Sequence, residues 1–420
     1  LSAFSGYACS ICGKRYTPQE VTYTCPDDGG NLNVLLDWEQ IKADWSPAQI
    51  AKSRDWSIWR YLPLLPVDDP GCWGTPLRSV GWTPMYDAAS LAAEVGVRIL
   101  WLKDDGRNPT ASFKDRASAV AVARAREIGA QVVITASTGN AGAALAGMAA
   151  AAGVQAIILA PKSAPPAKIA QLLIFGARVI LVDGTYDDAF DLSLSAAAEF
   201  DWYCRNTGYN PFTAEGKKTA AFEIAEQLSN AERVDRWHVP DAVLVSVGDG
   251  NIISGIHKGF KDLYELGWIE RVPRIFGIQS TGSAAITNAY RAGTEQIEPV
   301  QADTLADSIS VDRPRDGVRA LRAATETGGA YLAVPDDSIL DAIAELGSRV
   351  GLFAEPAGAT PYAGLKAACE AGLLGANDEV LVVITGSGLK DVRAAMQAAG
   401  EASVIEPTLD ALRIELEKKA

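Results

Sequence analysis

The stretch QVVITASTGNAGAALAGMAAAAGVQAIILAP, residues 131–161, decides how this chain folds. It lies within 34 consecutive residues, 128–161, that carry no charged side chain. A membrane-spanning helix takes about 20 continuous apolar residues. Here Ser137, Thr138, Gly139, Asn140 and Gly142 break the run into strand, polar turn, Ala/Gly helix and second strand. Apolar strands without alternation are the pattern of parallel strands covered on both faces, and the spacing suits a right-handed crossover. The stretch reads as a buried βαβ unit, not a membrane span.

Working outward, β-rich runs recur at 98–104 (RILWLKD), 178–183 (RVILVD), 241–248 (DAVLVSVG), 274–279 (RIFGIQ), 351–356 (GLFAEP) and 379–386 (EVLVVITG). Helical stretches, such as 113–129, separate them. An α/β architecture of open, twisted parallel sheets follows. No fixed-period repeat is present, which excludes solenoids and propellers. Residues 37–75 carry Trp38, Trp45, Trp56, Trp59 and several prolines, and read as helices and an extended arm over the next domain.

The 420 residues hold 38 Lys and Arg against 52 Asp and Glu, a net charge of −14, and only two His. With no basic stripe, a nucleic-acid groove is not expected. HExxH and GxSxG are absent, and His238 and His257 read as structural, so a histidine-based triad has little to draw on. The six Cys do not form a disulfide scaffold, and no basic segment followed by an apolar one opens the chain. A cytoplasmic enzyme is the expectation.

Residues 1–36 stand apart. Cys9-Ser-Ile-Cys12 and Cys25-Pro-Asp-Asp28 are two corners of the kind a zinc ribbon uses, where a tetrahedral ion replaces a core too small to build. Asp28 stands where a fourth Cys is expected, and a carboxylate is a harder ligand than thiolate. Zinc on Cys9, Cys12, Cys25 and Asp28, and a zinc-free unit held by packing, both remain open.

Four loops sit at strand ends, where open α/β sheets bind ligands. In Asn108-Pro109-Thr110-Ala111-Ser112-Phe113-Lys114-Asp115-Arg116, Lys114 falls at a helix start with Ser112 or Thr110 as cap. The positive helix end disfavours an ammonium and so lowers its pKa; an ordinary surface lysine is the alternative. Ser137-Thr138-Gly139-Asn140-Ala141-Gly142 lets amides approach an anion, or is simply a packing turn. Gly248-Asp249-Gly250-Asn251 resembles a phosphate-cradling turn without a Walker or dinucleotide pattern. Thr385-Gly386-Ser387-Gly388-Leu389-Lys390-Asp391 closes the set, with Glu355-Pro356-Ala357-Gly358 on a neighbouring strand end. One reactive lysine, two anion-binding helix starts and a hydroxyl-bearing strand end suit an aldehyde cofactor with a phosphate tail.

From Cys9 to Asp391 the chain resembles the threonine synthases, of the fold-type II (tryptophan synthase beta-like) pyridoxal-phosphate enzymes. The likeness rests on SFKDR at 112–116, STGN at 137–140, Glu215-Gly216-Lys217-Lys218-Thr219, the glycine loop at 248–252, PRDG at 314–317 and Thr385. It implies pyridoxal 5'-phosphate as cofactor and Lys114 as the lysine that binds it. It also implies Asn140 on the ring hydroxyl, Gly248, Asp249, Gly250, Asn251 and Ile252 on the phosphate, and Thr385 at the pyridine nitrogen. Ser137, Thr138, Gly139, Asn210, Thr213 and Arg116 are implied as substrate contacts. The implied domains are a large cofactor-binding one (37–117 and 201–400), a small mobile one (118–200) and a C-terminal helix (401–420), after the zinc-ribbon-like unit. Two positions depart from the family pattern. Thr213 takes the place of an Arg that helps clamp the substrate phosphate, and Asn251 occupies a usual Gly. Lys103, Arg107, Arg116, Lys162 and Lys217 are the cations available to compensate. The expected reaction is O-phospho-L-homoserine and water to L-threonine and phosphate, in a homodimer. The alternatives are β-elimination or β-replacement, dehydratase-like or cysteate synthase-like, and a silent amino-acid sensor.

Overall fold

The computed structural model describes residues 3–137, 139–164, 166–229 and 235–417. Thr138, one of the expected substrate contacts, lies outside them. The 131–161 stretch forms strand Val132–Ala136, helix Asn140–Ala152 and strand Gln155–Pro161, with the two strands paired in parallel. The helix is built almost wholly of Ala and Gly so that it can approach its neighbours closely. A Cβ on Gly147 would come within 2.6 Å of Thr110 Cγ2, in the loop that leads to Lys114.

Two sheets carry the catalytic half of the chain. The larger runs Tyr331–Val334, Arg274–Ser280, Ala242–Ser246, Glu379–Ile384, Ile99–Asp104 and Met85–Asp87, all parallel except the last. The smaller runs Arg178–Val182, Gln155–Pro161, Val132–Ala136 and Tyr203–Cys204, all parallel. Two differences from the sequence reading have simple causes. The 351–356 run is not a strand: only Ala354 pairs, with Ser387, and Leu352 is apolar because it packs into the core ahead of helix Pro356–Glu370. The sheet edge is instead Tyr331–Val334, a short strand with half-open positions. Tyr203–Cys204 carries the smaller sheet past residue 200, and two residues leave no periodicity to read.

Ahead of the sheets lies a three-stranded antiparallel unit, Arg15–Tyr16, Phe4–Cys9 and Leu32–Leu36. It docks on the catalytic frame through polar bonds. Asn31 Nδ2 donates to the carbonyls of Gly208 and Arg315, and Arg319 Nη1 donates to Leu32 O and Asn33 Oδ1, both at 3.1 Å. Short helices Trp38–Asp44 and Pro47–Ala51 and a 3-10 segment, Ile58–Leu64, form the arm. Helix Leu409–Glu417 ends the described chain with no buried residue. Among the described residues no helix is long and apolar enough to cross a membrane.

Candidate active site

Lys114 is the first residue of helix Lys114–Glu127, reached through Ala111 at a φ of 65°. A non-glycine residue in that region stores backbone strain, which is tolerated where surrounding structure fixes the loop. Ser387 N donates to Ala111 O and Phe113 N to Thr385 O, so the Thr385 loop fixes it. The expected cap is absent. Phe113 occupies the N-cap position without a side-chain bond, Ser112 Oγ is buried without a partner, and Thr110 instead bonds Asp115 through both its hydroxyl and its N–H. The Lys114 ammonium is pulled below the ordinary lysine value by desolvation, with Arg205 acting the same way and Glu355 and Asp249 opposing. The direction is the one read from the sequence, but burial is the larger cause.

Arg116 is not at the substrate position implied for it. It is fully buried and forks to both carboxylates of a closed cluster, Asp105 (2.6 and 2.9 Å) and Glu223 (2.6 and 2.8 Å). Lys103 joins the same cluster, 2.8 Å from Glu223 Oε2. Both cations are already neutralised, and neither has a donor free for a substrate phosphate.

The glycine loop follows strand Ala242–Ser246. Gly250 has a φ of 92°, and a Cβ there would meet Ala320 Cβ at 2.6 Å and Asp316 O at 2.7 Å, so the turn requires glycine. Helix Asn251–Glu265 then begins without a side-chain cap, which leaves its first amides without a side-chain acceptor. Asn251 turns its side chain back into the frame. Its Oδ1 accepts from Lys217 Nζ (2.5 Å) and Thr213 Oγ1 (3.1 Å), and its Nδ2 donates to Asp316 Oδ2 (2.7 Å). Asp316 in turn receives both arms of Arg319 at 2.6 and 2.7 Å. The PRDG run therefore supports the cradle from behind.

A cavity opens between this loop and Lys114, walled by Lys217, Asp249, Asn251, Ile252, Ser246 and Thr385 among others. Thr385 and Ser246 end adjacent strands and bring their hydroxyls within 3.5 Å of each other. A second cavity shares Lys114, Thr207, Asp249 and Ser308 with the first and continues to Ser137, Gly139 and Asn140. Asn140 Nδ2 donates to Glu355 Oε1 (2.8 Å) and Oε2 (3.1 Å) and to Ser308 Oγ (3.2 Å). Ser137 Oγ accepts from the amides of Gly142 (2.9 Å) and Gly139 (3.2 Å). Neither cavity wall includes Asn210, Thr213 or Arg116. Asn210 bonds Cys204 O and Phe212 N, and Thr213 is buried with its hydroxyl on Asn210 O at 2.7 Å.

Sequence reasoning missed Ser246 and Thr207 as cavity walls and Arg205 behind them; Glu355, named with the Thr385 loop, bonds Asn140 on the wall. The clue for Ser246 was a hydroxyl at the end of an otherwise apolar strand; Arg205 had none. Arg205 is fully buried, bonds Ser118 Oγ (3.1 Å) and Thr207 Oγ1 (2.7 Å), and leaves Nη2 without a partner. Burial pushes its guanidinium down to about 10. Lys114 and Lys217 line the cavities and Arg205 backs the wall residue Thr207, and none of the three pairs with a carboxylate within 4.0 Å among the described residues. Burial raises the Asp249 and Glu355 carboxyls above the ordinary carboxylate range. An amine, unmatched positive charge, an uncapped helix start and a pair of strand-end hydroxyls are a donor set that fits pyridoxal phosphate.

At the N-terminal unit, the ligand atoms of Cys9, Cys12, Cys25 and Asp28 all lie within 4.8 Å of one another. Cys12 Sγ and Cys25 Sγ are 3.8 Å apart. A tetrahedral zinc with Zn–S bonds of about 2.3 Å places its sulfurs about 3.8 Å apart, so the cluster is consistent with zinc. Anaerobically purified protein is expected to carry at most one zinc per chain, released by Cys9→Ser or Cys12→Ser. Elemental analysis that finds zinc retained after either change would count against this ligand set.

Residues 77–386 match the family model described as pyridoxal-phosphate dependent enzyme. The chain is 40% identical over 409 residues to the threonine synthase of Methanocaldococcus jannaschii, covering 96% of this chain and 98% of that protein. It is 36% identical over 408 residues to the threonine synthase of Methanosarcina acetivorans, covering 96% and 97%. Among solved structures, processed threonine deaminase isoform 2 from Solanum lycopersicum matches with a TM-score of 0.66 at 23% identity, covering 82% of this chain and 94% of that one. That last likeness concerns the fold alone. With the lysine, the glycine loop and the strand-end hydroxyls gathered at one site, the chain belongs to the threonine synthases, pyridoxal-phosphate-dependent lyases of fold type II.

Proposed function

We propose that the chain converts O-phospho-L-homoserine and water to L-threonine and phosphate, with Lys114 as the base. Bound pyridoxal phosphate supplies an electron sink for the negative charge that develops on the substrate carbons. The amides of 248–252 hold its phosphate, Thr385 meets the pyridine nitrogen and Asn140 the ring hydroxyl. Ser137, Thr138 and Gly139 receive the substrate carboxylate. Lys114 Nζ takes one proton from Cα and one from Cβ as the C–O bond to the γ-phosphate breaks; protons then return to Cγ and Cα, water gives its hydroxyl to Cβ, and its remaining proton leaves with the phosphate. A lysine held below its usual pKa suits that task.

One observation carries this reading. Lys114 and Lys217 on the cavity wall, and buried Arg205 behind the wall residue Thr207, lack carboxylate partners within 4.0 Å among the described residues. A cofactor phosphate and a phosphorylated substrate supply the missing negative charge. A dehydratase-like enzyme, with an uncharged leaving group, would leave part of that charge buried and unmatched, which is costly.

The same reading makes 37–117 with 201–400 the frame that holds the cofactor and 118–200 the part that closes over substrate. Contacts across the cleft support it: Asn140 with Glu355, Lys168 with Asp307, and Gln171 with Lys390. It also places the protein in the cytoplasm as a homodimer, in keeping with six unpaired cysteines. Purified holoenzyme is expected to release phosphate from O-phosphohomoserine faster than it forms 2-oxobutyrate from threonine or pyruvate from serine. The reverse order would sink the assignment.

A further inference from the structure

Lys217 is treated differently from the other buried lysines of this chain. Lys103 lies 2.8 Å from Glu223, and Lys218 lies 2.6 Å from Glu215 and 2.8 Å from Asp262. Lys217 is equally inaccessible to solvent, yet its only hydrogen-bond partner among the described residues is the neutral Asn251 Oδ1. An ammonium has three donors, so two are left to point elsewhere.

Those donors sit at a built anion position. Lys217 crosses helix Asn251–Glu265 where Gly255 leaves room, since a Cβ there would meet Lys217 Cβ at 2.6 Å. This crossing brings Nζ to the uncapped start of that helix, on the wall of the cavity that holds Lys114. The loop itself contributes the Asp249 carboxyl, which opposes any anion unless a cation offsets it. Thr213 lies one turn earlier on the same helix face and also touches Asn251 Oδ1, so the space beside it belongs to Lys217. Left alone, the Lys217 ammonium is driven well below the usual value by burial and then by Lys114 and Arg205.

We propose that Lys217 is the counter-charge for a phosphomonoester dianion bound at the start of helix Asn251–Glu265. The dianion comes either from the cofactor or from the γ-phosphate of the substrate; the second source rests on the reaction proposed above, the first does not. Once the dianion is bound, Lys217 stays charged, and the phosphate stays doubly ionised below the ordinary second pKa of about 6.

The test compares holoenzyme carrying Lys217→Gln or Lys217→Met with Lys217→Arg. Truncating a desolvated charge contact weakens binding by about 30-fold or more. If the cofactor is the source, the neutral variants lose it on dialysis at least that much more readily. The ³¹P signal of their bound cofactor then titrates near pH 6, while the wild-type signal stays flat. If the substrate is the source, cofactor retention and the ³¹P signal hold. KM for O-phosphohomoserine and the inhibition constant of inorganic phosphate then rise by that factor. Lys217→Arg restores whichever property was lost. Folded neutral variants in which all four properties stay within about 2-fold of wild type overturn the proposal. A wild type that ignores O-phosphohomoserine overturns the reaction instead, and the dialysis, ³¹P and inorganic phosphate measurements still decide Lys217.

Discussion

Lys114→Ala is expected to lower kcat by about 10⁴-fold or more and to abolish the visible absorbance of lysine-bound cofactor. Removing a general base alone costs about 10²- to 10⁴-fold, and on the function proposed above the same amine also anchors the cofactor. The fold should persist, because Lys114 forms no ion pair among the described residues, and losing its repulsion toward Lys217 and Arg205 offsets losing its attraction to Glu355 and Asp249. The melting temperature of the cofactor-free variant is therefore expected to stay close to that of the cofactor-free wild type. A variant that still yields a borohydride-reducible adduct at full stoichiometry would show that another residue holds the cofactor.

The largest loss of stability is expected at Glu223. Its carboxylate receives Arg116 through two donors and Lys103 through one, and all three side chains have no solvent exposure. The cluster joins strand Ile99–Asp104, helix Lys114–Glu127 and helix Phe212–Gln227, so it sets where Lys114 begins its helix. Glu223→Leu leaves two buried cations facing Asp105 alone, and breaking a buried pair in this way costs about 3–5 kcal/mol. Burial pushes the Glu223 carboxyl up, but Arg116 and Lys103 outweigh it and hold it down to about 2, against an ordinary 4.5. The unfolded chain then binds the proton first as acid is added. The stabilisation is complete above pH 4.5 and is lost as pH falls toward 2. Chemical denaturation across that range should show a steep acid slope in wild type and a shallower one in Glu223→Gln. Equal slopes would remove Glu223 from the account.

The βαβ unit at 131–161 was legible because buried parallel strands and a small-residue helix each leave a local, periodic mark. The strand-end loops were legible for a related reason, since glycine and hydroxyl residues interrupt apolar runs where the backbone must turn toward a ligand. The cations were not. Arg116 stands two residues from Lys114 in the chain, yet its partner Glu223 lies 107 residues away and turns it from the cavity. Lys217 reads as a following-turn lysine, and only the crossing of two helices at Gly255 brings it to the start of helix Asn251–Glu265. Arg205 follows a two-residue strand, too short for any pattern. Which cation meets a ligand depends on which carboxylates others have already taken, and pairing of that range is not written locally.

Asn31 gives the N-terminal unit a mechanical meaning. Its one amide grips Gly208, on the chain segment leaving the smaller sheet, and Arg315, on the frame of the larger one, while Arg319 ties the adjoining strand to the same frame. The unit is thus a clamp between the segment that leaves the smaller sheet and the run that backs the glycine loop. If 118–200 closes over substrate as proposed above, the contacts that must part on opening are Lys168 with Asp307 and Lys390 with Gln171, while the clamp stays with the frame.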